Sequence, residues 1–135
     1  MNDEFAYVTE MDVRYRDLDT WNHVNNAVYA TYLEQARIDY LDSVLADGIG
    51  SRDFVLAHLD IDFHAAVEYE DETTIALRAS EIGTSSLTFE YEVRADGEVA
   101  ATAHSTQVHM GEDGAPTPLP DDWRAAIVEF EPALE

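Results

Sequence analysis

From Tyr29 to Leu41 the apolar residues Tyr29, Tyr32, Leu33, Ala36, Tyr40 and Leu41 return at three- and four-residue steps. That spacing lays one apolar stripe along a helix. No proline or glycine interrupts the run until Gly48. Most of the remaining periodic stretches alternate with a period of two and read as strands. A single long helix among strands must bury its stripe against one face of one sheet, which predicts a two-layer α+β domain. At 135 residues the chain has room for one core, so 1–135 reads as one domain.

The helix is entered through an unusually polar loop. Asp17, Asp19, Asn22, His23, Asn25 and Asn26 fall within ten residues. Such groups cost stability if they are buried without partners, so the rim of a site is an economical place for them. Asn25 or Asn26 is the expected N-cap, its side-chain oxygen accepting from a free amide of the first turn. Glu34 and Arg37 are spaced to pair on the polar face. The loop therefore empties into the positive end of a buried helix, which suits an anion or a developing oxyanion.

Strands are expected over 5–15, 54–63, 73–82, 87–94 and 97–110. In the second of these, Val55, Ala57, Leu59, Ile61 and Phe63 fall on one face, and Leu56, His58, Asp60, Asp62 and His64 on the other. Leu87, Phe89, Tyr91 and Val93 alternate strictly with polar residues. Asp96-Gly97 is a strong hairpin turn. Residues 46–52 read as the helix exit, 111–120 as a loop and 120–130 as a terminal helix.

Composition narrows the function classes. There is no cysteine, which excludes disulfides, thiolate metal sites and a cysteine nucleophile. The net charge is −22, and all seven basic residues are arginine. Nucleic acid is not an expected partner, because phosphate binding needs clustered cations. An anionic membrane is disfavoured for the same reason, and no run is long enough for a membrane helix. The acidic start MNDEFAYVTE has no basic n-region and does not read as a signal peptide. The acids are interleaved with well-patterned apolar residues, so the charge points to a folded surface adapted to high salt and to a salt-accumulating cytoplasm. His58 and His64 flank Asp60 and Asp62 on one strand, but the alternation is that of a solvated face, and no metal site is expected.

The stretch DLDTWNHVNNAVY followed by YLEQAR resembles the loop and central helix of the hotdog-fold acyl thioesterases. Nearest in pattern are the 4-hydroxybenzoyl-CoA thioesterase-like family and the plant acyl-ACP thioesterases. In the first, the loop reads D-x-D-x-x-G-x-V and its second aspartate is catalytic. That position is Asp19, and Asn22 stands at the frequent glycine. In the second, the loop reads D-x-N-x-H-V-N-N. Asp19, His23, Val24, Asn25 and Asn26 match it, and Trp21 takes the place of the middle asparagine.

The resemblance implies a hotdog fold, an antiparallel sheet wrapped around one long helix. It implies homodimers or tetramers with sites at the protomer interface, and hydrolysis of an acyl-CoA or acyl-carrier-protein thioester with no cofactor. Asp19 would be general base or nucleophile, His23 would assist, and the Asn26 amide would polarise the carbonyl. Asn25, Thr84, Ser85 and Ser86 would contact substrate, whereas Asp17 would tie the loop down. No basic residue lies between Arg78 and Arg94 to hold coenzyme A phosphates.

Two rivals are weighed. Asp17-Leu18-Asp19 looks like the D-x-D of haloacid-dehalogenase-type phosphatases. Trp21 stands where those carry threonine or valine, and they need a lysine and a larger domain. A non-catalytic acyl-binding or assembly protein on the same fold is the second rival, because fold alone does not settle function.

Overall fold

The computed structural model describes residues 5–46 and 53–134. Most of the expected helix exit, 47–52, lies outside the described residues. Strand β1 is Tyr7–Met11, helix α1 is Val28–Val44, and strands β2 to β5 are Asp53–Phe63, Thr73–Ile82, Ser86–Ala95 and Glu98–Met110. Helix α2, Asp121–Phe130, follows the last strand. The five strands form one antiparallel sheet in the order β1-β3-β4-β5-β2. Between β1 and β2 the chain crosses from one sheet edge to the other, and α1 lies on that crossover. This is the hotdog architecture.

The six expected stripe residues of α1 are the six that the helix buries. They meet Ile75, Leu77, Leu87, Phe89, Tyr91, Val93 and other inner-face residues in one core. Tyr40 is its hub. The ring packs edge-on against Tyr7, Phe89 and Phe130, and the hydroxyl donates to Glu131 at 2.8 Å. Burial and that carboxylate push the Tyr40 pKa up. Glu131 also accepts from the Ala79 amide at 2.8 Å, which ties the end of α2 to β3. Trp123 stacks on Phe54 and lies beside His109, whose Nδ1 meets the Thr117 and Pro118 carbonyls. His109 is thus a structural pin.

Three local expectations change. The first strand stops at Met11, because the Arg14 amide donates to the Asp17 carboxylate and closes a short 3₁₀ turn over Tyr15–Asp17. Arg37 does not bridge to Glu34; its Nη1 donates to the Tyr91 hydroxyl at 3.1 Å. The face assignment of β2 is shifted by a bulge between Leu56 and His58. Cross-strand partners share a face, so Phe54 and Leu56, opposite His109 and Gln107, point inward with Leu59 and Ile61. Val55 pairs with Val108 on the outer face and is 51% exposed. At Asp96-Gly97 both φ angles are positive, 52° and 85°, as a two-residue hairpin of this type requires.

Candidate active site

The polar loop is a miniature hairpin. Leu18 and Val24 pair across it, and the Asp19 amide donates to the His23 carbonyl at 2.8 Å. Asn22 takes the tip with φ of 63°, the left-handed region that favours glycine and that asparagine tolerates. The departure from the glycine of the D-x-D-x-x-G-x-V pattern therefore keeps the turn. His23 bridges to Glu68 and the Val24 amide donates to the Val67 carbonyl, so the loop is sewn to the segment that leads into β3.

Asp17 is the anchor. It is buried and accepts from the Tyr32 hydroxyl at 2.7 Å and from the Arg14 amide at 2.9 Å. Burial alone would raise its pKa. The bonds from Tyr32 and Arg14, with the Arg14 guanidinium nearby, outweigh burial and hold the carboxyl below its ordinary value of 3.8. Burial and the Asp17 carboxylate in turn push the Tyr32 hydroxyl up.

Asp19, two residues on, is only half-buried. Its Oδ1 accepts from the Trp21 amide at 2.8 Å and from the His23 amide at 3.3 Å. Its Oδ2 accepts nothing among the described residues. One oxygen thus fixes the carboxylate and the other stays open for chemistry.

The helix start completes the arrangement. The N-cap position is Ala27, which makes no side-chain cap bond, so neither expected asparagine occupies it. Asn25 instead turns the chain into the helix, its Oδ1 accepting from the Ala27 amide at 2.9 Å and its carbonyl from the Val28 amide at 2.9 Å. The helix proper begins at Val28, and Ala27 already has helical dihedrals. Asn26 is exposed, and its amide donates to no acceptor among the described residues. A free amide at a helix N-terminus can donate to an anion.

One protomer does not bring every expected residue together. Asp19, His23, Asn25 and Asn26 share the loop. Thr84, Ser85 and Ser86 lie at the turn from β3 into β4, beyond the far end of β3, a ten-residue strand about 30 Å long. There the Thr84 and Ser85 carbonyls accept from the Leu119 and His109 amides, and Arg124 Nη2 donates to Thr84 and Gly83. That end also holds a cavity of about 220 Å³ between α1 and the sheet. Leu41, Phe54, Leu56, Leu87, Phe89 and Gln107 are among its walls. Sequence reasoning missed this cavity. The signal was present: Ser105, Gln107 and His109 are polar residues at the inward phase of β5.

The outer sheet face carries a solvated charge ladder. His58 Nε2 lies 2.7 Å from Asp60, and His104 lies 3.5 Å from Asp60 and 3.6 Å from Glu90. Among the described residues, no group of three or more histidines, aspartates and glutamates is arranged to hold a metal ion.

The family model described as the thioesterase-like superfamily matches residues 13–127, which include the loop, α1 and all of β2 to β5. The chain belongs to the thioesterase-like superfamily. That membership makes thioester hydrolysis the class of reaction. Within the superfamily, the chain is 31% identical over 108 residues to the long-chain acyl-CoA thioesterase FadM of Escherichia coli (strain K12), covering 74% of this chain and 80% of FadM. It is 28% identical over 88 residues to YsmA of Bacillus subtilis (strain 168); the match spans 64% of this chain and 60% of YsmA. Among solved structures, a thioesterase of Thermus thermophilus, complexed with coenzyme A and Zn, superposes with a TM-score of 0.88 at 37% identity. The match covers 97% of this chain and 98% of the Thermus chain. The hotdog fold and the hydrolase class expected from the loop therefore both stand.

Proposed function

We propose that this chain hydrolyses acyl-CoA thioesters with Asp19 as the catalytic carboxylate. One observation carries the reading: Asp19 is clamped by one oxygen and open at the other, on a loop that ends in the free amide of Asn26. As general base, the open oxygen takes a proton from water while that water attacks the carbonyl carbon. As nucleophile, it attacks directly and forms a mixed anhydride that water then cleaves. Both routes put negative charge on the carbonyl oxygen, where the Asn26 amide and the helix N-terminus stabilise it. Collapse expels the thiolate of coenzyme A, which takes up a proton. His23 orients the water. The coenzyme A held by the Thermus relative, and the acyl-CoA activity in the name of FadM, support coenzyme A over a carrier protein as the thiol.

The working unit in this reading is at least a homodimer. Strand β2 is a sheet edge eleven residues long, with Val55, Leu56 and Phe63 each 45% exposed or more. A long apolar edge of this kind needs cover. A second copy pairing antiparallel through the same edge would set the Phe54 end of one β2 beside the Phe63 end of the other. Phe63 packs on Tyr29, near the start of α1, and Phe54 lines the cavity. The Asp19 loop of one copy would then face the cavity of its partner and the partner's end of the sheet that carries Thr84–Ser86. Thiol release from a panel of acyl-CoAs in molar salt tests the activity. A single turnover in ¹⁸O-water tests the anhydride route: water attack at the Asp19 carboxyl carbon leaves label in that carboxylate, which the general-base route does not.

A further inference from the structure

Away from the Asp19 loop, a line of polar groups runs through the core. Arg37 Nη1 donates to the Tyr91 hydroxyl at 3.1 Å. The Tyr91 and Ser105 hydroxyls share the next hydrogen bond, and Gln107 Nε2 donates to Ser105 Oγ at 2.9 Å. The line ends at Gln107 Oε1, which is buried and has no partner among the described residues. Gln107 is 5% exposed and lines the cavity between α1 and the sheet.

A buried amide oxygen without a donor forfeits a bond that it makes to water in the unfolded chain. Exchanging the two ends of the amide does not mend the deficit. Ser105 would then donate to Oε1, and the NH₂ group would lack an acceptor. In either orientation half of one amide stays open on a sheet wall otherwise made of Phe54, Leu56, Leu87 and Phe89, with Glu34 and Arg37 on the α1 side of the cavity. A leucine at 107 would complete that wall with no polar debt. The polar residue makes physical sense if a ligand completes it.

We infer that Gln107 is a specificity residue that hydrogen-bonds a hydroxyl on the acyl group of the substrate. This rests on the thioesterase reading above. A hydroxyl both donates and accepts, so it satisfies the amide in either orientation. Size sets the class of acyl group. An apolar cavity of about 150 Å³ holds benzene. At about 220 Å³ this one takes a single ring, or a chain of similar bulk, with one hydroxyl added.

The test compares octanoyl-CoA with its inner-chain and terminal hydroxy derivatives, and benzoyl-CoA with its monohydroxy isomers. The proteins are wild type and Gln107→Leu, each with a melting curve. At least one hydroxylated ester should exceed its parent by about tenfold or more in kcat/KM on wild type. The chain or ring arm in which it appears names the acyl class. Gln107→Leu should lose that preference, the ratio of the hydroxylated ester to its parent in kcat/KM falling toward one, and should melt no lower than wild type. Equal kcat/KM across the wild-type panel, as a water at Gln107 would give, overturns the inference and leaves the thioesterase reading standing. So does a preference that survives in Gln107→Leu. If that variant does not fold, the wild-type panel decides. If no ester is cleaved, the thioesterase reading fails, and calorimetric binding of the same pairs decides: a hydroxylated ester that binds no tighter than its parent overturns the inference.

Discussion

Asp17 and Asp19 differ by two positions, and the backbone turns the first into the core and leaves the second at the rim. Asp17 carries the loop's stability. Its folded pKa lies below the ordinary 3.8, so its contribution is whole above that value and is lost as pH falls through the folded one. Asp17→Asn should lower stability by about 2 kcal/mol at neutral pH. It should also flatten the acid limb of a melting-temperature-against-pH curve. An unchanged acid limb would remove Asp17 from that role. At Asn22 the positive φ decides: Asn22→Gly should keep activity, and Asn22→Ala should cost about 1 kcal/mol and loosen the loop, read by melting and by thiol release. Much of this was legible in the sequence, because side chains that bind their own backbone do so at short fixed spacings; the Asn25 turn onto the Ala27 amide and Asp17 as tie follow from that, although the N-cap itself falls on Ala27. The Arg37–Tyr91–Ser105–Gln107 line was not legible, since it joins residues 54 positions apart that meet only after the sheet forms.

At the scale of elements, alternation located the strands to within a few residues, and β3 to the residue. It misread the faces of β2, because the bulge between Leu56 and His58 reverses the phase and nothing in a run of apolar residues announces it. The correction matters for assembly. Val55 is outward and exposed in the protomer, so Val55→Glu should leave the fold intact while setting like charges near the proposed edge-to-edge seam. Light scattering should give a mass of at least two chains for wild type and a shift toward one chain for the variant, with loss of activity in parallel. A wild-type monomer that is stable and fully active at high salt would contradict the edge pairing.

Over the whole molecule the dominant quantity is charge: 29 carboxylate residues face seven arginines. Self-repulsion is short-ranged in molar salt and reaches about 30 Å at ~10 mM, which spans most of a domain this size. Dialysis to ~10 mM salt should therefore unfold the protein, as seen by far-UV circular dichroism. Full stability there would remove the high-salt reading without touching the site. The site itself is decided by one substitution. Asp19→Asn keeps an Oδ1 for the Trp21 and His23 amides and replaces only the open oxygen. Steady-state thiol release from the best acyl-CoA, measured in molar salt beside a melting curve, should fall by ~10²-fold or more in kcat with KM little changed and the melting curve superimposed on wild type. Near-wild-type turnover by folded Asp19→Asn would contradict the account and leave the loop as a cap on the helix.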